Sequence, residues 1–313
     1  MLGSTPAELP LPEGIQVVFN HRDLARYRSP LTDQWRNGDN LEEFIVKAIN
    51  EAQQEIFVAV QELSLPVIAQ ALVAAKQRGV NVRIVMENTY SQPWGDLHEA
   101  DLSLRERRHL AQLKILADRN SDGNLSLQER QHGDAVEILR RNKIPLIDDR
   151  EDGSKGSGLM HHKFLVIDGL SVITGSANFS SSGIHGDAGA WQTRGNVNHL
   201  LRFNSAELAE LFKKEFLLMW GDGPGGAKDS RFGLAKNSSG IQVARLGSTR
   251  IEVLFAPHDK RQKLNGLKLI AERMAKSKED IDMALFVFSA QSLANELQEL
   301  VKHGVKIRLI ADP

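Results

Sequence analysis

The chain is expected to be an α/β protein, a mixed, largely parallel sheet flanked by helices. Three observations predict it. Short apolar runs alternate with longer amphipathic ones from Glu55 to Met86, and the same order returns between Ile251 and Ala311. The composition, 41% hydrophobic and 25% charged residues, is that of an ordinary globular protein. A length of 313 residues is enough for two domains.

The elements follow in order. Ile15–Phe19 reads as a strand, and Asn40 caps a helix running from Leu41 to about Gln54. Glu55–Val60 is a strand, Leu65–Arg78 a helix and Val80–Met86 a strand. Two helical segments follow, about Asp101–Leu116 and Leu127–Arg141, the second with a break point at Gly133. Met160–Asp168 is mostly apolar and reads as a buried strand. Asp168-Gly169 is a turn signal, and Val172-Ile173-Thr174 returns as a second strand. Near the C-terminus the strands are Ile251–Phe255, Ile281–Phe288 and Val305–Ala311, with helices Leu264–Ala275 and Gln291–His303 between them. Set without gaps, Ile56–Met86 and Ile281–Ala311 share eight identities in 31 positions, Gly79-Val80 and Gly304-Val305 among them, which reads as an internal repeat.

These patterns divide the chain. Residues 1–14 form a Pro-rich N-terminal linker, and residues 15–220 a first domain with an insert at about 101–141. Residues 221–247, opening on Gly221-Asp222-Gly223-Pro224-Gly225-Gly226, are a linker, and residues 248–313 begin a second domain. A net charge of −1 gives no global basic field of the kind that advertises nucleic-acid binding. With no cysteine there is neither a disulfide nor a thiolate metal site. No apolar run is long enough to span a membrane, and the first residues lack the pattern of a signal peptide. The default compartment is cytoplasmic, with export of a longer precursor left open.

The most informative run is His161-His162-Lys163, then Asp168, then Gly175-Ser176-Ala177-Asn178. A histidine is a nucleophile or acid-base group near neutral pH. A lysine two residues along a strand projects to the same face. Ser176 and Asn178 follow the returning strand and come back to that face. One imidazole, one ammonium, one hydroxyl and one amide converging on a point suit a phosphate diester, with Lys163 and Asn178 holding its non-bridging oxygens. Asp168 completes the motif and is counted with the site, although on a regular strand it points away from His161 and fits better as the turn residue.

This spaced string resembles the signature of the phospholipase D superfamily. The resemblance implies phosphodiester cleavage through a phosphohistidine, with His161 the nucleophile, Lys163 and Asn178 phosphate ligands, and Ser176 a weaker contact. It extends over Ile15 to Pro313 and is to the two-motif members, in which two halves pack about a pseudo-twofold axis and one motif from each meets in a single cleft. A second motif would fall beyond Pro313, so the leaving-group acid is expected from a missing C-terminal half or from a homodimer. Family members commonly carry a downstream Glu that orients the histidine. Here Asn198 or Asn196 stands in its place, or Asp187 supplies the acid. The substrate is a phosphodiester, with a phospholipid headgroup favoured. DNA or RNA cleavage is the alternative, and a catalytically incomplete calcium-binding protein a third reading.

A second motif lies inside the insert. Asp118-x-Asn120-x-Asp122-Gly123, five residues and Glu129 fit the calcium loop of an EF-hand. Asp118, Asn120 and Asp122 supply side-chain oxygens, Asn124 a backbone carbonyl, Ser126 the water position and Glu129 the bidentate carboxylate. Ca²⁺ there is structural or regulatory, and the catalytic chemistry needs no cofactor. Glu62 and Glu87, at strand ends, rim the cleft or are ordinary loop acids. The Gly153–Gly158 loop is a lid or a plain connector.

Overall fold

The computed structural model describes residues 10–118, 120–154, 158–190, 192–237, 239–259 and 262–311. Residues 1–9 of the expected N-terminal linker and 155–157 of the glycine-serine loop lie outside them. The chain divides into two compact units, Met1–Lys236 with Val243–Glu252, and Asn237–Gln242 with Val253–Pro313.

The first unit runs β1 (Ile15–Phe19), β2 (Arg26–Arg28), β3 (Trp35–Asn37), α1 (Leu41–Glu51), β4 (Glu55–Val60), α2 (Pro66–Gln77) and β5 (Asn81–Met86). Next come α3 (Leu104–Ala117), α4 (Leu127–Gly133), α5 (Ala135–Arg141), β6 (Leu146–Asp148), β7 (Lys163–Ile167) and β8 (Ser171–Gly175). The short α6 (Ser181–Ile184), β9 (His199–Phe203) and α7 (Ala206–Trp220) follow. Seven strands form one sheet in the order β1-β9-β8-β7-β4-β5-β6. The mixed α/β class is the one expected. Its parallel part is β4–β5–β6, where helices make the crossovers. From β7 onward a hairpin takes over, and the joints β4–β7, β7–β8, β8–β9 and β9–β1 are antiparallel. Asp168 and Gly169 both have positive φ, 53° and 63°, and Leu170 N–H donates to the Ile167 carbonyl at 2.9 Å. That is the two-residue turn whose twist matches a hairpin.

Helices cover both faces. Ile45 and Ile49 of α1, Ile68 and Leu72 of α2, and Val136 and Leu139 of α5 bury against Ile56, Val58, Ile84, Leu165 and Ile167 of the sheet. On the other face Phe216 of α7 stacks on Phe57, ring centroids 4.9 Å apart, and Phe212 meets Phe164 edge-on at 5.0 Å. The helix expected over 127–141 breaks one residue beyond Gly133. There Asp134 accepts N–H bonds from Val136 and Glu137, both at 3.0 Å, to cap α5. Because α5 contributes to the same core as α2, it is the crossover helix of the sheet. The added part is α3, the loop and α4. A Cβ on Gly133 would lie 2.5 Å from Ala117 Cα, so glycine is required where α4 crosses α3.

A hairpin, β10 (Gln242–Leu246) with β11 (Thr249–Val253), follows the first sheet. The second unit contains α8 (Gly266–Met274), β12 (Asp280–Leu285), α9 (Gln291–Lys302) and β13 (Lys306–Ala311), around Met274, Leu293, Leu297, Leu300 and Val305. The order β4-α2-β5 and the order β12-α9-β13 start at residues 55, 66, 81 and at 280, 291, 306, an offset of 225 throughout. The parallel pairing keeps the same register, Glu55 opposite Asn81 and Asp280 opposite Lys306. The repeat seen in the sequence is therefore repeated structure.

The register of β7 is set at its far end. Asp168 accepts N–H bonds from Gln53 at 2.9 Å, Gln54 at 2.7 Å and Glu55 at 2.9 Å, tying the hairpin turn to the start of β4. Replacing this carboxylate with a methyl group removes three acceptor contacts. Asp168→Ala is expected to cost on the order of 1–2 kcal/mol and lower the thermal midpoint by several degrees, with Asp168→Asn milder. A thermal scan by circular dichroism checks this, and an unchanged midpoint would remove the clamp from the account.

Candidate active site

The site lies where β4 and β5 end and β7 begins, outside the carboxyl ends of the parallel strands, where open α/β sheets place their ligands. Backbone bonds close this corner. Gln61 N–H donates to His162 O at 3.0 Å, Glu87 N–H to Gln61 O at 3.3 Å, and Phe179 N–H to Glu62 O at 3.0 Å. Buried Asp149, just after β6, accepts from Met160 N–H at 2.9 Å and Asn88 N–H at 3.1 Å. The residue before His161 is thus tied to the strand ends on the far side.

Three side chains converge there. Lys163 Nζ, buried, donates to Gln61 Oε1 at 3.2 Å and to the His161 carbonyl at 2.9 Å. Asn178 Nδ2 donates to the same Gln61 Oε1 at 3.2 Å. Two donors that suit a phosphate oxygen are thus already aimed at one oxygen atom. Asn178 Oδ1 is buried with no hydrogen-bond partner among the described residues. Burial pushes the Lys163 ammonium down to about 8, against an upward pull from nearby Glu62. His161 precedes β7, is exposed, and its ring makes no hydrogen bond among the described residues. Desolvation first, then the Lys163 and His162 charges, hold its imidazole below the ordinary histidine range. It is therefore neutral at pH 7, with a free lone pair on nitrogen.

The other sequence candidates divide. Ser176 Oγ lies 3.3 Å from His199 Nδ1 and accepts the His199 N–H at 3.1 Å, so its recorded contacts are with β9. Asp168 is not in the site. It sits seven residues from His161, roughly 20 Å along an extended chain, and its carboxylate is engaged with the β4 backbone. Two of the proposed orienting groups are turned elsewhere: Asn198 Nδ2 donates to Gly183 O at 2.8 Å, and Asp187 accepts from Thr193 Oγ1 at 2.8 Å. The backbone carbonyl of Asn196 accepts from Asn20 Nδ2 at 2.8 Å. Glu62 lines a cavity beside the site and Glu87 caps the turn after β5, accepting from Thr89 N–H at 2.9 Å.

Asp118 accepts from Asp122 N–H at 3.2 Å and Gly123 N–H at 2.9 Å. Glu129 accepts from Ser126 N–H at 3.0 Å and Asn120 N–H at 3.3 Å. Asn124 donates its N–H to Asp122 at 2.7 Å. Among the described residues no three His, Cys, Asp or Glu side chains gather as a metal-ready group.

The sequence reading missed Gln61, a polar residue ending the apolar run of β4. It also missed what His162 does. Strand alternation sends this residue to the α7 face, where its Nε2 lies 2.9 Å from Glu215 Oε1 and its ring meets Phe164 edge-on. Glu215 also pairs with Lys236. Burial alone would raise the Glu215 carboxyl, but His162 and Lys236 outweigh it and hold it below the usual range. Burial holds His162 low despite Glu215. The signal was one acid on the otherwise apolar stripe Phe212, Phe216, Met219 of α7. Glu215→Ala removes the buried carboxylate that His162 and Lys236 both contact and is expected to cost about 3 kcal/mol, read from urea unfolding. A loss under about 1 kcal/mol would mean that the cluster is no more than a surface pair.

Comparison with known proteins is consistent with this architecture. The family described as "Cardiolipin synthase, PLD-like domain" matches residues 45–220, more than half of the chain. A phospholipase D of Rickettsia conorii is 25% identical over 175 residues, 56% of this chain and 61% of that protein. A mitochondrial cardiolipin hydrolase of Xenopus laevis is 28% identical over 169 residues, 54% of this chain and 56% of that protein. The chain thus matches less than two thirds of the length of either relative. The crystal structure of phosphatidylserine synthase from Haemophilus influenzae Rd KW20 superposes with a TM-score of 0.51 at 13% identity, covering 96% of this chain and 62% of that one. The sheet, its flanking helices and the family match together make this chain a member of the phospholipase D-like domain family.

Proposed function

We propose that the chain is a phosphodiesterase that cleaves a phosphodiester through a phosphohistidine on His161, with a phospholipid headgroup as the favoured leaving group. The observation that carries this is the shared aim of Lys163 Nζ and Asn178 Nδ2 at a single oxygen position, with Lys163 bonded also to the backbone carbonyl of the exposed His161. A non-bridging phosphate oxygen replaces Gln61 Oε1 between these donors, which gain strength as charge develops on it. The His161 lone pair attacks phosphorus as the P–O bond to the alcohol breaks, the departing alkoxide takes a proton from solvent, and water then cleaves the P–N bond, returning a proton to solvent and the phosphate to solution. The relatives named above, a phospholipase D and a cardiolipin hydrolase, support a lipid substrate.

We assign Ca²⁺ to the Asp118–Glu129 loop in a structural or regulatory role. The donor set is all oxygen, as a hard cation requires, and Gly123 takes the positive φ, +79°, that the bend needs. Asp118, Asn120, Asp122, the Asn124 carbonyl and Glu129 would hold the ion. This reading gives the ion no part in the chemistry at His161.

Three outcomes are expected. His161→Ala abolishes hydrolysis of bis(p-nitrophenyl) phosphate, and an acid-labile phosphoprotein seen with wild type is absent from the variant. Hydrolysis surviving in the variant would remove His161 as nucleophile. Lys163 is a cation below its lowered value and neutral above it, so kcat/KM falls as pH rises through about 8. Lys163→Arg, always charged, loses that alkaline limb; a limb persisting in the arginine variant assigns it to another group. Glu129→Gln weakens Ca²⁺ binding by about tenfold or more by calorimetry, and an unchanged affinity would remove the loop assignment.

A further inference from the structure

A polar cavity of about 280 Å³ lies between the β2–β3 hairpin and the loop that runs from α6 to β9. None of the residues assigned above to the chemistry lines it. Its two walls are pinned together. Arg36 of β3 donates to the Thr193 carbonyl at 2.6 Å, and the Tyr27 hydroxyl of β2 lies 2.9 Å from His185 Nδ1. Gly186, at φ +124°, brings the loop so close that a Cβ there would stand 2.9 Å from an Arg36 nitrogen. Behind the wall, buried His185 has its Nε2 3.0 Å from Oε2 of buried Glu42. A carboxylate only accepts, so the ring proton sits on Nε2 and Nδ1 accepts the Tyr27 hydroxyl. Burial pushes the Tyr27 phenol up to about 12, against the Arg36 charge, so it stays neutral. The one acid of this corner is therefore turned to His185, away from the cavity.

The charge of the lining is one-sided. Arg36 and Arg194 bring two guanidiniums, and among the described residues no carboxylate lines the cavity. Arg194 is exposed, donates to the Asn37 carbonyl over a long 3.4 Å, and pairs with no carboxylate among the described residues. The side-chain amides of Gln34, Asn37 and Gln192 add further donors around it. Two guanidiniums and a ring of amides without a counter-charge select an anion, and the fork of a guanidinium matches the paired oxygens of a phosphate. We propose that this cavity is a second phosphate site, separate from the catalytic one, which takes inorganic phosphate or the phosphate end of a small phosphomonoester. It shares no residue with the phosphohistidine reading and stands or falls without it. Its occupant ties the hairpin to the loop that leads into β9, whose first residue, His199, contacts Ser176.

The test is calorimetry of inorganic phosphate with the full chain carrying Lys163→Ala, in which the catalytic oxygen position has lost its ammonium. Phosphate is expected to bind still, at one site, and about tenfold tighter than acetate. Adding Arg194→Gln should weaken phosphate about tenfold, while Arg194→Gln alone leaves hydrolysis of bis(p-nitrophenyl) phosphate unchanged. A second measurement needs no variant. Phenylglyoxal labelling of the wild-type chain, read by mass spectrometry, should show Arg194 shielded by phosphate and exposed Arg108 not. No phosphate binding in Lys163→Ala, equal affinity for acetate, indifference to Arg194→Gln, or an unshielded Arg194 overturns the proposal. Loss of diester hydrolysis in Arg194→Gln also overturns it, because the two sites would then be one. Glycerol 3-phosphate that competes with phosphate for the site supports a monoester as the ligand. Phosphate binding without that competition supports the inorganic ion.

Discussion

One carboxylate fixes the frame on which the site depends. Asp168 gathers three consecutive N–H groups at the start of β4, and this sets which residue of β7 lies opposite which residue of β4. In that register Lys163 faces Val60, and the next residue of the β4 chain, Gln61, comes within reach of its ammonium. A slip by one residue would turn Lys163 to the α7 face and bring Phe164 to the cleft, because side chains alternate along a strand. The aspartate of the motif therefore acts on the site from the opposite end of the strand.

The same alternation gives β7 two occupations. His161 and Lys163 serve the cleft. His162 and Phe164 belong to the layer under α7, where an ion-paired glutamate and the edge-on contact of Phe164 with Phe212 hold the strand down. Buried ion pairs are poor sources of net stability but severe about geometry, since each charge is costly without its partner. The Glu215 cluster thus constrains the backbone between two catalytic candidates without touching the reacting atoms.

Much of this was legible in the sequence. The alternation in Glu55–Met86 gave the element order, and Asp168-Gly169 gave the hairpin. The period of two gave the shared face of His161 and Lys163. The ungapped likeness of Ile56–Met86 to Ile281–Ala311 gave a repeat whose registers coincide. What could not be read depends on long-range contact. Gln61 and Asn178 meet because Phe179 bonds the Glu62 carbonyl, a contact between segments more than a hundred residues apart. His162 meets Glu215 only because α7 crosses the sheet at that point. Parallel character was over-weighted beyond β6, where apolar runs look alike whether a helix or a hairpin joins them. Asn198 and Asp187 were plausible orienting groups by position along the chain, yet local loop bonds take both.

Gln61 has a consequence for affinity. Its amide oxygen stands between an ammonium and an amide donor, so neither is left dry in a buried corner. An acidic side chain at that point would form a closed ion pair with Lys163, and an incoming anion would have to break it. An apolar one would take from Asn178 Nδ2 its recorded acceptor and leave Lys163 to the His161 carbonyl. A neutral carbonyl lies between these extremes. It keeps the two donors pointed at the right place and, carrying only a partial charge, yields that place to a phosphate oxygen. Gln61 acts as a built-in surrogate ligand, and the strength of its hold sets the competition that every substrate must win.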